Sequence, residues 1–222
     1  MSRIVSKIID VSVAVRDGIP IYDGNPPLSL EWAMSIERGD QVNLTRLSEG
    51  VHTGTHVDAP FHFIPGGKKI DELEMGSFFC NVQVVRTRRK SVTPGVLAGK
   101  RIAKGDGVLF RTSNSGLYGR PFTRDFVFIE GETADELVRM HVPIVGLDYL
   151  SVEKFGSHDA PVHNKLLGAD IPIIEGLCLT GVKEGRYTLA VFPIRLQGRE
   201  AAPARAVLFS PPLASSITLN GR

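Results

Sequence analysis

Cysteine is scarce. The chain of 222 residues has two, Cys80 and Cys178, far apart and each in apolar surroundings. There is no Cys-x-x-Cys pair and no disulfide framework, so a reducing compartment fits. Long apolar runs are missing too, since none reaches the roughly 18 residues of a membrane span. The opening stretch "MSRIVSKIIDVSVAV" is broken by Asp10 and Ser12 and has no small-residue cleavage site after it, which argues against a secretory leader. A cytoplasmic protein without a membrane segment is expected. Strong net charge is also absent: the formal value is +2, with both signs spread along the chain. The sharpest basic run, Arg86-Thr87-Arg88-Arg89-Lys90, has no aromatic interleaving and reads as a solvated loop or edge strand, not a nucleic-acid patch. Internal repeats, low-complexity blocks and linkers are lacking. Residues 1–222 are therefore expected to form a single domain, a length sufficient for one large core.

What the chain does have is a succession of short runs rich in β-branched residues. "KIIDVSVAV", "QVNLTRLS", "CNVQVVRT", "GVLFRT", "FVFIE", "PIVGLD", "PIIEGLCLT", "YTLAVFPIRL" and "ARAVLF" are separated by turn signals such as "RDGIPIYDGNPP" and "AKGDG". In the first run Val11, Val13 and Val15 alternate with Ser12, Ala14 and Arg16, a strand pattern. Helical candidates are few and late. "GETADELVRMHV" offers Thr133 as N-cap and Glu136 at the capping-box spacing. "SVEKFG" reads as a short helical turn, and "APVHNKLLGAD" as a helix closed at Gly168. This balance predicts an α/β or α+β domain around a mixed sheet.

The densest concentration of chemistry is "GVHTGTHVDAPFHFIPGG". His52, His56, Asp58 and His62 fall within eleven residues and take three of the six histidines in the chain. Three explanations compete: a metal site, a proton-transfer site, or a polar loop whose imidazoles bond to backbone. Pro60, Gly54 and the β-branched Thr53, Thr55 and Val57 argue against a helix here. In an extended segment His56 and Asp58 share a face with their Cα atoms roughly 7 Å apart, suited to two ligands on one ion. A straight strand would hold His52 and His62 roughly 33 Å apart. The chain must therefore bend, and Gly54 and Pro60 stand where bending is needed. His52 then folds back onto the same ion and His62 stays at the rim. Imidazole and carboxylate ligands suit zinc or manganese.

A second signal is Glu175 in the apolar run "IPIIEGLCL". A buried carboxylate is costly unless it is paired or bound to metal, and no Lys or Arg lies within seven residues of it. His163 precedes it by twelve residues, in the helix candidate. A surface strand position or a salt bridge is the competing explanation for Glu175. Strand parity puts Glu175, Leu177 and Leu179 on one face and Cys178 on the other, as a core residue. His158 carries no partner argument and reads as structural or exposed, and His141 reads as the C-terminal residue of the helix candidate it follows.

"HTGTHVDAPFHF" resembles the signature of the metal-dependent cyclase family, which includes bacterial kynurenine formamidase (arylformamidase) and isatin hydrolase. "GDGVLFRT", "GLDYLSVE", "HNKLLGADIPIIEGL" and "FPIRLQGREAAPARAVL" are similar to later blocks of that family in the same order, so the resemblance spans nearly the whole chain. It implies a swivelling β/β/α fold with a curved mixed sheet, assembled as dimers or tetramers. It implies His52, His56 and Asp58 as ligands of a first metal, Asp58 as a bridge, and His163 and Glu175 as the remaining ligands of the two-metal members. His62 matches the acid/base histidine. One position departs: Tyr22 stands where kynurenine formamidases have a substrate-contacting Trp, and Asp23 where they have Pro.

The chemistry implied is metal-assisted hydrolysis of an amide-type C–N bond in a small molecule, with one or two divalent ions per chain. A lyase or dehydratase on the same scaffold, and a non-catalytic metal-binding protein, are the alternatives. The apolar, Pro-containing tail "VLFSPPLASSITL" reads as an arm that docks on another copy of the chain.

Overall fold

The computed structural model describes residues 7–213. The outer part of the proposed docking tail and the first six residues lie outside them. In chain order the strands are β1 (Lys7–Asp10), β2 (Ser29–Met34), β3 (Leu44–Ser48), β4 (His56–Asp58), β5 (Phe79–Arg86), β6 (Ser91–Val92), β7 (Gly107–Arg111) and β8 (Phe128–Ile129). Then follow helix α1 (Gly131–Arg139), β9 (Val145–Leu147), helix α2 (Pro161–Gly168), β10 (Ile173–Glu175), β11 (Gly185–Pro193) and β12 (Ala201–Ser210). No helix among the described residues is long and apolar enough to cross a membrane.

The expected curved mixed sheet is present, and it closes. Its order is β1-β12-β11-β5-β7-β9-β10-β4, and β4 pairs back onto β12. Seven strands thus form a ring, with β1 appended. The ten-residue β12 makes closure possible. One edge of it pairs with β4 through Ala201–Pro203 and with β1 through Val207–Ser210, while β11 runs along the other edge. Within this sheet β5, β7, β9 and β10 are mutually parallel and the remaining pairings are antiparallel.

The alternation of each strand assigns residues to two cores. Val57, Val82, Val84, Leu109, Ile174, Leu189 and Leu208 pack inside the ring. Val85, Val108, Phe110, Val145, Leu147 and Ile173 point outward and are covered by Leu137 of α1 and by Val162 and Leu166 of α2. His56, Asp58 and Glu175 flank the inward-pointing Val57 and Ile174, so they emerge on the outer, helix-covered face. That single parity relation places the polar cluster under α2.

Several local expectations are corrected. Helix α1 starts two residues before Thr133, after Glu130. The fully buried Thr133 hydroxyl donates to Val92 O at 2.7 Å, so it ties the helix to β6 and is not its cap. "SVEKFG" is not helical, because its Glu153 side chain is committed elsewhere. The valine alternation does not extend β1 past Asp10. Ser12 makes an isolated bridge to Leu177, and Val13 N–H goes to the Thr55 hydroxyl. Strand β10 stops at Gly176, whose φ is +73°. Leu177 and Leu179 therefore join Ile174 inside the ring, opposite Glu175, against the parity expectation. Cys178 is half-buried and outside the hydrophobic clusters.

Candidate metal centre

The bend that brings the histidines together is built at Gly54 and Gly176. Gly54 has φ +65°, a left-handed conformation that costs a glycine nothing. A Cβ on Gly176 would sit 1.9 Å from Gly54 O, so the two backbones touch. The Thr55 hydroxyl fastens this contact by donating to Gly176 O at 2.5 Å. From there β4 runs between β10 and β12, with Glu175 opposite His56 on one side and Ala201 opposite Asp58 on the other. Past Asp58 the chain turns at Pro60 into one 3-10 turn, Pro60–His62.

The geometry that results is tight. His56 and Asp58 are both fully buried, with His56 Nε2 3.4 Å from Asp58 Oδ1. His52 folds back so that its Nδ1 lies 3.0 Å from the same oxygen. His163, carried by α2, has Nε2 3.9 Å from Asp58 Oδ2 and 3.3 Å from Glu175 Oε1. Glu175 Oε2 approaches His56 Nε2 at 3.5 Å, and its Oε1 accepts the Val152 N–H at 2.7 Å. The His62 ring lies tilted 4.2 Å from the His52 ring and edge-on 5.8 Å from that of His163. All five expected ligands and His62 are thus gathered from β4, its flanking turns, α2 and β10.

Two observations test whether a divalent cation suits these residues. His56 Nε2 and both Asp58 oxygens are buried without a hydrogen-bond partner. Buried polar atoms are normally paired, so atoms this close yet unbonded fit lone pairs directed at a shared ion. The His56 tautomer agrees: Nδ1 lies 3.0 Å from Gly54 O, a carbonyl that can only accept, which leaves Nε2 free to ligate. Ligand-capable atoms fall into two groups, His52–His56–Asp58 and Asp58–His62–His163, each within 4.8 Å, with Asp58 common to both. Neither group includes Cys178.

The electrostatics show what the protein does without a cation. Burial disfavours charge on His56, but the Asp58 and Glu175 carboxylates overcome it and raise its pKa to about 10. His163 is likewise desolvated, and Glu153, Glu175 and Asp58 raise it to about 9. Burial opposes ionisation of Asp58 as well, yet His52 and His56 hold it well below the usual carboxylate range. Protons on imidazole supply the positive charge that the carboxylates require. His62 is different: burial dominates and lowers its pKa.

Four residues of the cluster, His52, His62, His163 and Glu175, line a cavity of about 290 Å³ together with Tyr22 and Phe63. Tyr22 packs its ring 5.2 Å from Phe122 and 5.5 Å from Phe155. A larger cavity of about 580 Å³, lined by Asp10, Phe192, Ile194 and Arg205, touches none of the cluster. His158 is exposed, as expected, but it also lines the smaller cavity. His141 is exposed just beyond α1. Sequence reasoning missed Glu153, which is 6% exposed and accepts the N–H groups of Val162 and His163 at the start of α2. It also missed Phe63, which stacks on His163 at 4.4 Å. A carboxylate directly after the apolar "GLDYLSV" was the available signal for Glu153.

The family model described as putative cyclase matches residues 9–154. A kynurenine formamidase of Salinibacter ruber is 36% identical over 208 residues, covering 92% of this chain and 98% of that protein. A solved structure from Bacillus stearothermophilus, described as a predicted metal-dependent hydrolase, is 32% identical with a TM-score of 0.80, covering 92% of this chain and 98% of that one. Isatin hydrolase A from Labrenzia aggregata shares the fold, with a TM-score of 0.81 at 22% identity over 92% of this chain and 93% of that one. With its family model spanning well over half its length and a relative this similar along nearly all of it, the chain belongs to the putative cyclase family.

Proposed function

We propose that the chain is a metal-dependent hydrolase that cleaves an amide-type C–N bond in a small molecule: an N-formyl arylamine, or a related lactam or cyclic imide. The observation that carries this reading is Asp58, buried with both oxygens unbonded and shared between two ligand-capable groups, whose His52, His62 and His163 line a small cavity. Bound divalent cation supplies a Lewis acid and a water whose pKa falls to about 7. His52, His56 and Asp58 would hold one ion, and His163 and Glu175 would complete the set for one or two ions per chain. Imidazole and carboxylate donors favour zinc, with manganese next.

His62 is the acid/base residue. Its lowered pKa keeps the ring neutral near pH 7, so it takes the proton of the attacking water and returns it to the leaving nitrogen. Tyr22 and Phe63 form an aromatic wall for the substrate. N-formylkynurenine is the first compound to assay, since relatives carry the name kynurenine formamidase. Isatin-like cyclic amides are the next, since isatin hydrolases share the fold. The working form we infer is a cytoplasmic homodimer or homotetramer that acts without nucleic acid or membrane. An oligomer is supported by the β2–β3 hairpin, where Trp32, Leu44 and Leu47 are each more than half exposed. The test is a panel of N-formyl arylamines and cyclic amides, assayed with metal-loaded protein in ¹⁸O-water. One solvent oxygen in the acid product supports hydrolysis. Product without it identifies an elimination instead, and no turnover with full metal occupancy refutes the reading.

A further inference from the structure

The segment that carries Tyr22 is long and thinly held. From Asp17 to Leu28 the chain forms no strand or helix. Its backbone makes two hydrogen bonds, Ile19 N–H to Arg16 O at 3.1 Å and Asn25 N–H to Tyr22 O at 3.0 Å, and both are local. Buried Ile19 pins one end, and Pro26 packs beside Gly50 near the other. Between these anchors, one polar contact among the described residues joins the stretch to a distant segment. Arg124 Nε and Nη2 both donate to Asp23 Oδ2, at 3.0 and 2.7 Å. The same guanidinium lies over the Phe155 ring, with its carbon 4.8 Å from the centroid. Phe155 packs 5.5 Å from the Tyr22 ring, and Phe122, two residues before Arg124, packs 5.2 Å from it. Asp23, Arg124, Phe155 and Tyr22 thus close a circuit across three segments. Its far side is anchored, because Phe122 and Phe126 pack on the fully buried Tyr149. Tyr22 and Asn25 line the cavity beside the metal centre, while Asp23 and Arg124 stand outside it.

We propose that Asp23 and Arg124 are positioning residues: their ion pair latches the strap, residues 17–28, onto the aromatic cluster and so holds the Tyr22 ring as a wall of the cavity. The role of Tyr22 toward a substrate rests on the hydrolase reading above, whereas the latch stands on the contacts alone. Both partners are exposed, and an exposed ion pair adds little to global stability. Its weight here is local. A segment with so few backbone bonds opens by itself, without the rest of the fold, and a factor of a few then decides how often the wall is in place. Arginine suits the task, since it offers several donors to one carboxylate and stacks on an aromatic face at the same time.

Amide exchange followed by mass spectrometry reads the latch on the full-length, metal-loaded chain, in the parent, Asp23→Asn, Arg124→Gln and the double variant. Exchange in peptides spanning 17–28 should rise about two- to five-fold in either single variant, the factor an exposed ion pair supplies, with other peptides unchanged. The double variant should match the singles, because either change removes the whole contact. Salt at about 1 M, where the Debye length is about 3 Å, should bring the same rise in the parent and none in the variants, and Asp23→Glu should keep most of the protection. Parent-like exchange in the single variants overturns the proposal, and so do effects that add in the double variant. In turnover of N-formylkynurenine, Asp23→Asn should raise KM about two-fold or more, because part of the binding energy then goes into closing the strap, with kcat held within about two-fold. Faster exchange at unchanged KM overturns the positioning of Tyr22, as does a lower kcat at unchanged KM. Absence of turnover in the parent counts against the hydrolase reading alone, and the exchange comparison still decides the latch.

Discussion

Replacing Glu153 by alanine removes the acceptor that organises the first turn of α2. Pro161, at the first helical position, has no N–H to offer. The next two, of Val162 and His163, both go to Glu153 Oε1, and the Asn164 N–H returns to Ala160 O. A buried N–H left without a partner costs about 1–3 kcal/mol, and loss of a carboxylate from a helix N-terminus adds about 0.3–1 kcal/mol. Water entering the vacated space offsets part of this, so about 2–5 kcal/mol is expected. In a chain of this length that lowers Tm by roughly 5–15 °C. The same turn carries His163, whose ring must stay near Asp58 and Glu175. Metal affinity should therefore fall by about 10- to 100-fold, as for other groups that support a ligand. Glu153→Gln keeps an oxygen acceptor and should lose less than half as much of each. Thermal melts of metal-free protein and calorimetric metal titration read the two effects separately. A Glu153→Ala protein whose Tm and metal affinity match the parent refutes the capping argument. A lowered Tm with unchanged metal affinity would remove His163 from the ligand set.

Three further outcomes follow. His62→Ala should keep its metal and lose turnover by roughly 10²-fold or more, the size of a general acid–base contribution; loss of metal in that variant would make His62 a ligand. Metal-free protein should be more stable at pH 6 than at pH 10. His56 and His163 have folded-state pKa values raised to about 10 and about 9, so their stabilisation is full below the unfolded value near 6.5 and drains away as pH rises through 9–10. A melting temperature that rises over that window would contradict this, and metal, which displaces those protons, should flatten it. Chelation should lower the Tm of the parent, and Glu175→Ala should abolish most of that difference; full occupancy and activity in Glu175→Ala would reduce the centre to His52, His56 and Asp58.

Much of this architecture was legible because it rests on period-two patterns and on bends that need glycine. Val57 between His56 and Asp58, and Ile174 before Glu175, suffice to place three polar groups on one face. What was not legible came from contacts between distant segments. Closure of the sheet depends on β12 being long enough to pair with both β1 and β4 along one edge, and nothing in "ARAVLF" announces ten paired residues. The parity argument failed at Gly176 because the chain turns left-handed there, against the backbone of Gly54, 122 positions earlier, where no Cβ would fit. Thr133 was misread as a cap for a similar reason: its hydroxyl had a tertiary partner in Val92 that local spacing cannot reveal. Glu153 was hidden inside a segment that looked helical but serves as the acceptor for the next helix.

These misses share a cause that bears on the site itself. The ring is closed by β4, a strand of three residues wedged between β10 and β12. So short a strand contributes few ladder bonds, and its two outward side chains are the buried His56 and Asp58, whose Nε2 and carboxylate oxygens lack hydrogen bonds. On packing alone this would be the weakest seam of the barrel, since burying unpaired polar atoms costs free energy. The ligand-capable atoms facing it come from α2 and β10, the elements that must stay docked for the seam to hold. A cation bound there would link β4 to β10 and to the helical layer at once, converting the least favourable part of the sheet into its clasp. The small Ala201 beside Asp58 on the β12 side is consistent with that arrangement, because a larger side chain would press on the carboxylate that both ligand groups share.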